Sequence, residues 1–311
     1  MRELYLSIPM NKRFLIKTIL SFSLVILLTP GLLYLGLHLT RPLPISKQKQ
    51  KLFQGITYQR IRRSKPDPLM VHIVKIDLTT PGIKLLVTPG KPGEDNQDIA
   101  AQTTSEFLQN YDLQLAINGS FFHPFYVHSP IDYYPHSGER VNILGQAISQ
   151  GKIYSSVNED WPVLCISPEN KAEIYPDTCP QNTVQGIAGN LILVKKGKPI
   201  KVKKFSDHNK KFPRTAVAID KTGETLWFIL IDGRQPFYST GVTLATLTNI
   251  IQEIEGVETA LNLDGGGSTT LVISEGTDTK VLNAPFHSRI PMRQRPIANH
   301  IGIYALPIEQ K

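Results

Sequence analysis

The sequence predicts an α+β fold: a strand-rich single domain with few helices, preceded by one N-terminal transmembrane helix. Residues 18–39 carry no Lys, Arg, Asp or Glu, and an apolar segment of this length can cross a bilayer. The rest of the chain consists mostly of short apolar or alternating segments separated by Gly, Pro and Asp, as strands and turns are. Because two helical segments do not alternate regularly with the strands, the pattern favours α+β over a doubly wound sheet.

The N-terminal segment is predicted to be an uncleaved signal-anchor. Four Lys or Arg residues precede it, and the positive-inside rule then places the N-terminus in the cytoplasm. A cleaved signal peptide is the alternative, but residues 36–46 offer no convincing small-x-small cleavage site. We therefore expect an N-terminus and membrane helix at 1–40, a polar linker at 41–51 and an extracytoplasmic domain at 52–311. The domain would be anchored in the membrane through the apolar segment, or secreted if the anchor is cleaved.

The charge balance gives no indication of a nucleic-acid partner. The chain has a net charge of +8, but its first 50 residues supply +6 of this, so the folded part is nearly neutral. Residues 195–211 contain eight Lys, and we interpret them as a solvated hairpin. A patch that attracts an anionic polymer or lipid headgroups is the alternative. No protein partner can be inferred.

The two cysteines, Cys165 and Cys179, are fourteen residues apart. In an extracytoplasmic domain such a pair is a candidate disulfide, and closing this loop would contribute about 3 kcal/mol in the chain-entropy model. Two free thiols are the alternative. No Cys or His spacing typical of a structural zinc site is present.

Nine segments of the domain are predicted strands, because each is apolar or alternating and ends near Gly, Pro or Asp. They are residues 71–78, 83–88, 113–119, 191–197, 215–221, 225–233, 260–265, 269–273 and 300–306.

Two segments are predicted helices. Residues 98–110 contain good helix formers after Asp98, which could cap the helix. Residues 243–256 place Leu and Ile at three- and four-residue spacing, with Thr243 as N-cap and Gly256 as the C-terminal stop.

The segment ALNLDGGGSTTLVI at 260–273 is the strongest candidate for chemistry. Three glycines between two strand-like segments exceed what a hairpin needs, so we expect another group to approach this backbone closely. The amides of Gly265, Gly266 and Gly267 could form an anion-binding concavity beside Asp264. The hydroxyls of Ser268 and Thr269 would add to it. A glycine-rich bulge at a tight corner is the alternative.

A second acidic turn, LIDGR, contains Asp232 at the end of another predicted strand. Two carboxylates at strand ends can divide the roles of nucleophile or base and acid in sugar chemistry, although Asp-Gly is also an ordinary turn. Arg214, Arg293 and Arg295 lie next to predicted strands and could hold a phosphate or carboxylate, or form structural ion pairs.

Asn118 ends a strand and begins a loop, residues 116–140, that is dense in Phe, Tyr and His. Its aromatic side chains could contact sugar rings or be buried. His123, His128 and His136 lack the spacing of zinc enzymes, so the metal content stays unknown. No cofactor is predicted. A divalent cation such as calcium, held by Asp232 and Asp264, is conceivable but has no support in the sequence.

Six segments resemble the phosphodiester glycosidase family, in the order found there. They are AINGSFF, GNLILVKKGKPI, FPRTAVAID, LIDGR with GVTLATLTNIIQEI, NLDGGGSTTLV and RPIANHIGIY. The resemblance covers roughly residues 70–306 and implies a hydrolase that cleaves the bond between a sugar's anomeric carbon and a phosphodiester oxygen, in cell-envelope or extracellular glycoconjugates. The implied partner is a sugar-phosphodiester substrate.

The resemblance also implies roles for the candidate residues. Asp264 and, second, Asp232 would support positive charge at the anomeric carbon or activate water, while Arg214, Arg295 and the three glycine amides would hold the departing phosphate. The remaining candidates would orient the substrate: Asn118, Gly119, Ser268, Thr269 and Asn299. A glycoside hydrolase acting on neutral polysaccharide and a non-catalytic envelope protein for exopolysaccharide binding or biosynthesis are the alternatives.

Overall fold

The structure is a computed structural model and describes residues 12–44, 47–90, 98–156, 161–200 and 209–308. The chain divides into two units, 1–41 and 42–311. In the first unit, α1 (Lys12–Leu39) contains Pro30 and carries the apolar stretch Ser21–Leu39, with a mean hydropathy of 1.9. A helix of this length and composition near an N-terminus is typical of a membrane anchor and also of a signal sequence.

The second unit is rich in strands. Up to the disulfide region its elements are β1 (Lys47–Phe53), β2 (Ile56–Arg63), β3 (Leu69–Asp77), β4 (Lys84–Val87), β5 (Asp98–Ala100), α2 (Thr104–Asn110), β6 (Leu115–Asn118), β7 (Phe122–His123), β8 (Tyr126–Val127), β9 (Tyr133–Tyr134), β10 (Arg140–Ile143), β11 (Ala147–Ser149), β12 (Lys152–Ser155), β13 (Val163–Ile166) and β14 (Ala172–Tyr175). There follow β15 (Gln185–Ala188), β16 (Leu191–Lys195), β17 (Lys198–Pro199), β18 (Arg214–Ile219), β19 (Thr225–Ile231), α3 (Leu244–Gln252), β20 (Thr259–Asn262), a 3₁₀ turn (Gly266–Ser268), β21 (Leu271–Glu275), β22 (Asp278–Val281), β23 (Phe286–His287), β24 (Ile290–Pro291) and β25 (His300–Tyr304).

Two antiparallel sheets form the centre of this unit. The larger has the strand order β1-β2-β3-β19-β18-β20-β16-β17, and the smaller has the order β22-β21-β6-β25-β4. A further five-stranded sheet, β12-β11-β15-β13-β14, adds Leu164 and Ile187 to the same core. Sequence neighbours often lie far apart in these orders, so residues distant in the chain meet at the ends of the strands.

The main core lies between the two central sheets. Val217 and Phe228 of the larger sheet and Ile117 and Ile301 of the smaller sheet belong to one buried cluster. On the outer face of the larger sheet, α3 packs Leu247 onto a second cluster, and α2 covers the smaller sheet in the same way. Each of the two central sheets therefore packs on the shared core with one face and carries a helix on the other.

The predicted architecture of strands with few helices is confirmed. All nine predicted strands are present, with ends that differ by up to three residues. Thr243 caps α3, as predicted, because its side chain accepts a hydrogen bond from the Thr246 amide. The helix ends at Gln252, before Gly256, whose φ of +87° is the left-handed conformation that glycine permits.

Two predicted boundaries are wrong. Residues 98–110 are not one helix, because Asp98–Ala100 pairs as a strand with β10. Thr103 is the true N-cap and forms a capping box with Glu106, a pattern that the sequence itself contains. The predicted linker at 41–51 is also too long, since Lys47–Phe53 pairs with β2 at the edge of the larger sheet. Its alternating Lys and Gln are typical of an edge strand.

The structure joins Cys165 and Cys179 in a disulfide, with their Cα atoms 5.7 Å apart. The described part of the lysine-rich segment is a hairpin formed by β16 and β17. Residues 201–208, which carry three of its lysines, lie outside the described residues. The alternative of a cationic patch in this segment therefore stays a prediction.

Candidate active site

Asp264 lies where the two central sheets meet at one end. It follows β20, and its backbone is fixed from the smaller sheet: Asn118 Nδ2 donates to the Asp264 carbonyl at 2.6 Å, and the Asp264 amide donates to the Gly119 carbonyl at 3.1 Å. Asp264 is partly exposed. The junction therefore holds the backbone of one partly exposed acidic residue at a defined position.

Two guanidinium groups approach the backbone of the triple-glycine turn. A Cβ on Gly267 would lie 2.7 Å from Arg295 Nη2, and a Cβ on Gly266 would lie 3.0 Å from Arg234 Nη2. Arg295 also donates from Nη1 to Ser268 Oγ at 3.2 Å. The glycines are thus required because any side chain at 266 or 267 would displace an arginine. We call Arg234 and Arg295 the arginine pair.

The amides of the turn are mostly used within the protein. The Gly265 amide donates to Asp264 Oδ1 at 2.8 Å, and the Gly266 amide donates to the Pro213 carbonyl at 2.9 Å. Of the three amides that were expected to bind an anion, only the Gly267 amide therefore remains free within the described residues. The arginine pair, rather than the backbone, supplies the positive charge at this site.

Arg214 does not join the arginine pair. Its guanidinium donates to the carbonyls of Val242 at 3.2 Å and Lys210 at 3.1 Å. The next residue, Thr215, donates to Asn118 Oδ1 at 2.9 Å on the side of the glycine turn. Because successive side chains of a strand point to opposite faces, Arg214 and Thr215 lie on opposite faces of β18. The arginines whose charges lower the pKa of Asp264 are Arg295 and Arg234.

Arg234 takes the place that the sequence analysis assigned to Arg214. It is exposed, has a φ of 61° and lies over the Phe212 ring at 5.1 Å. Its position directly after the Asp-Gly turn is the one feature of the sequence that indicates it. The left-handed backbone conformation that directs its side chain to Gly266 could not be predicted from the sequence.

Asp232 is a buried structural carboxylate. Its side chain is 1% exposed, and its Oδ1 accepts hydrogen bonds from Asn283 Nδ2 and the Ala284 amide, both at 3.0 Å. Oδ2 lies 2.9 Å from His72 Nε2, and Tyr58 closes this chain at 2.7 Å from His72 Nδ1. With both oxygens engaged, the expected role of Asp232 as a second catalytic group has no support in the geometry.

The network around Asp232 links the two acidic turns. Asn283 Nδ2 donates to the Thr269 carbonyl at 3.0 Å as well as to Asp232. Gln235, next to Arg234, donates to the Ala284 carbonyl at 2.9 Å. Asp232 therefore holds the turn of Arg234 in a fixed relation to the turn of Asp264.

Three other candidates also support the site from within the protein. Asn299 is fully buried, and its Oδ1 accepts from the Ser120 amide at 2.7 Å. A Cβ on Gly119 would lie 2.5 Å from that same Oδ1, so this glycine allows a close approach of two segments. Thr269 Oγ1 accepts from Thr215 at 3.3 Å. These residues, with Asn118, hold the backbone that carries Asp264.

The electrostatics of the site combine one carboxylate with two cations. Burial raises the pKa of Asp264, and this is opposed by Arg295, the Ser268 hydroxyl, the Gly265 amide and Arg234. Burial lowers the pKa of Arg295, which Asp264 opposes. Asp264 takes part in none of the ion pairs found among the described residues. Neither guanidinium group is therefore neutralised by a direct ion pair with Asp264; Arg234 is exposed, whereas Arg295 is 7% exposed.

His287 and aromatic side chains form the wall beside Arg295. Arg295 Nε donates to His287 Nδ1 at 3.3 Å, and the Phe125 ring lies 5.1 Å from Arg295 Cζ. Tyr133 meets His287 edge-on at 4.8 Å. Burial, with the charges of the neighbouring arginines, lowers the pKa of His287 to about 3, so this histidine is neutral and orients Arg295. Sequence reasoning missed it, since a lone His in a strand carries no signal.

No three His, Cys, Asp or Glu side chains converge as a metal site within the described part of the chain. Two clefts of 530 and 740 Å³ are found elsewhere, beside α2 and beside α3, and none of their lining residues belongs to the glycine turn or the arginine pair. Size alone would favour them. We place the site at Asp264 because two arginines act on this aspartate there and neither forms an ion pair with it among the described residues.

The tight contact at Gly267 gives a first prediction. Gly267→Ala places a methyl group 2.7 Å from Arg295 Nη2, which is the end of a flexible side chain, so the guanidinium shifts and the backbone does not. We expect kcat/KM to fall between about 10- and 100-fold, because small misplacements of catalytic groups are costly. Thermal melting should change little. Unchanged kcat/KM would show that Arg295 is not required at this position.

Comparison with known proteins identifies the family of the chain. The model of the phosphodiester glycosidase family matches residues 111–304, more than half of the chain. No curated protein matches the sequence.

Solved structures share the fold at low identity. The catalytic domain of zebrafish N-acetylglucosamine-1-phosphodiester alpha-N-acetylglucosaminidase, auto-inhibited by its pro-peptide, is similar with a TM-score of 0.59 and 20% identity, covering 86% of this chain and 92% of that one. A hypothetical protein from Synechocystis has a TM-score of 0.52 at 16% identity, over 81% of this chain and 62% of its own. A Burkholderia pseudomallei protein described as exported has a TM-score of 0.56 at 12% identity, over 86% and 98%. These likenesses show the fold, and the family match shows that the chain belongs to the phosphodiester glycosidase family.

Proposed function

We propose that the protein is a hydrolase that cleaves the bond between a sugar's anomeric carbon and a phosphodiester oxygen. The observation that carries this proposal is the arrangement of Asp264 and the arginine pair: a partly exposed carboxylate beside two guanidinium groups with which it forms no ion pair among the described residues. Two cations and one carboxylate leave a single net positive charge, which matches the single negative charge of a phosphodiester.

In this reaction the arginine pair binds the phosphate and stabilises it as it leaves. Arginine holds a phosphate through several donors in a rigid plane, and Ser268 and His287 fix the orientation of Arg295. The C1–O bond breaks, and its electron pair leaves with the phosphate oxygen. Because a phosphate oxygen leaves more readily than an alcohol, the site does not depend on a strong general acid.

Asp264 acts in its ionised form. It either supports positive charge at the anomeric carbon or accepts a proton from the water that adds to that carbon. Asn118 and Gly119 hold its backbone, so the carboxylate does not have to be ordered when the substrate binds. Asp232 acts indirectly, by positioning Arg234.

An extracytoplasmic site of action fits the other features of the chain. The N-terminal apolar helix is suited to anchoring or export, and the disulfide is typical of oxidising compartments. The substrates would then be glycoconjugates of the cell envelope or of the extracellular space. The family match supports a sugar phosphodiester over a neutral polysaccharide.

The test compares two substrates that carry the same sugar: a sugar-1-phosphodiester and the matching aryl glycoside. We expect turnover of the phosphodiester and no comparable turnover of the aryl glycoside, because the arginine pair has nothing to bind in the latter. Preference for the aryl glycoside would identify an ordinary glycosidase. Carbohydrate binding without turnover of either, and unaffected by Asp264→Asn, would identify a binding protein. Exhaustive chelation should leave turnover unchanged.

A further inference from the structure

Exposed apolar side chains lie against one member of the arginine pair and close in sequence to the other. Phe125, whose ring lies 5.1 Å from Arg295 Cζ, is 55% exposed. Phe237 is three residues after Arg234, in the turn closed by hydrogen bonds between Gln235 and Ser239, and it is 98% exposed. A folded domain that leaves large apolar side chains in water beside a charged site is typically using them for binding.

Phe125 belongs to a hairpin that is fastened beside Arg295. The hairpin pairs β8 with β9, and its exposed side chains include Tyr126 and, near the tip, Ile131, which is 88% exposed. Arg293 holds the tip by donating to the Pro130 carbonyl at 2.5 Å. The exposed apolar surface is therefore built into the fold. We call Phe125, Tyr126, Ile131 and Phe237 the apolar rim.

A cationic site with an apolar rim is complementary to an amphipathic ligand, an anionic group joined to a long apolar chain. We propose that the alcohol component of the phosphodiester is a membrane lipid alcohol, so that the substrate is a sugar joined through phosphate to a lipid. This deepens the proposed function and rests on it. Hydrolysis then breaks the C1–O bond, water supplies the oxygen at C1, and the lipid leaves as its phosphate monoester.

Two other occupants of the rim fit less well. A second sugar ring would be bound by an aromatic face together with polar side chains, whereas Ile131 and Phe237 are the most exposed members of the rim and one of them is aliphatic. A protein partner would leave the adjacent cations without a ligand. A lipid alcohol uses both halves of the surface, and the N-terminal apolar helix suits a protein that acts at a membrane.

The test uses the full chain in detergent micelles and two esters of one sugar 1-phosphate, with methanol and with a long-chain isoprenoid alcohol. Ile131→Ser and Phe237→Ser, together, remove the two most exposed apolar side chains of the rim. The matched control is Ile153→Ser, which removes a 57% exposed apolar side chain on β12, outside the rim. Micelle concentration is held constant, so that partitioning of the lipid ester affects all variants equally.

We expect the rim variant to lose about 10-fold or more in kcat/KM on the lipid ester, because less apolar surface is then removed from water when the lipid chain binds, and to keep its kcat/KM on the methyl ester. Ile153→Ser should change neither. An equal loss on both esters would show that the rim binds the sugar, and no loss on either would show that it serves another purpose; both results overturn the inference.

The failure of the proposed function would be recognised separately. If the wild-type protein hydrolyses neither ester, its affinity for a long-chain alkyl phosphate is compared with that for methyl phosphate. A tighter Kd for the alkyl phosphate, lost in the rim variant, would keep the lipid inference and reject hydrolysis. Equal Kd values would reject the inference as well.

Discussion

Replacing Asp264 with Asn should lower kcat on a sugar-1-phosphodiester by about 10²–10⁴-fold while the protein remains folded. Asn keeps the shape of the side chain and removes the charge that supports positive charge at the anomeric carbon or takes a proton from water. The backbone bonds from Asn118 and to Gly119 do not involve the carboxylate and persist in the variant. Steady-state kinetics on purified protein measure the loss.

The raised pKa of Asp264 distinguishes this loss from unfolding. Because the folded-state pKa lies above the unfolded value, ionising Asp264 costs folding free energy, and the cost is incurred as the pH rises through the folded pKa. At neutral pH, Asp264→Asn should therefore melt at the same temperature as the wild type or higher. In the wild type, activity should fall on the acidic side at a pH above the ordinary range of an aspartate. A variant that melts earlier, or that retains wild-type kcat, would contradict the role assigned to Asp264.

Arg295→Lys should lower kcat/KM by about 10²–10³-fold, the range found when one donor to a developing anion is removed. Lysine keeps the charge but loses the planar set of donors. It cannot donate to His287 and Ser268 at the same time, and it cannot bind the phosphate through two parallel hydrogen bonds. Kinetics at constant ionic strength measure this change. Inorganic phosphate, added as a competitor, should inhibit the variant with a higher inhibition constant than the wild type.

Arg214→Lys is the matched control for that substitution. Arg214 donates to the carbonyls of Val242 and Lys210, and the charges that act on Asp264 are those of Arg295 and Arg234, so we expect reduced stability and less than about a 10-fold change in kcat/KM. The two substitutions are chemically identical and differ only in the contacts that each guanidinium group makes. If Arg214→Lys were the more damaging to kcat/KM at equal folded fraction, the arginine pair would be misassigned.

Much of the fold was readable from the sequence, because the signals are local. The apolar run along 225–231 and the Thr243 cap of α3 act over a few residues, and both are present in the structure. The segment NLDGGGST located Asp264 and indicated that another group approaches the glycines. Where pairing with a distant strand competed with local propensity, the prediction failed, as at Asp98–Ala100, which pairs with β10 rather than joining α2.

The candidate site was readable only in part. Sequence placed Asp264 and Arg295 in it, whereas Arg234 and His287 were added by the structure. Asp232 looked equivalent to Asp264, since each follows a strand and precedes glycine. They differ because His72, 160 residues earlier in the chain, covers Asp232 from the neighbouring strand, whereas Asp264 lies at the junction of the two sheets and is partly exposed.

The sequence by itself determined the strand-rich class, the apolar N-terminal helix, the family and the turn that carries the carboxylate. Only the tertiary structure decided which arginines serve that carboxylate. The physical reason is that the face of a strand on which a side chain lies, and the group it meets there, depend on the pairing of strands that are far apart in the chain. Arg214 and Thr215 are neighbours in sequence and lie on opposite faces of β18, so one donates to the carbonyls of Val242 and Lys210 and the other to Asn118.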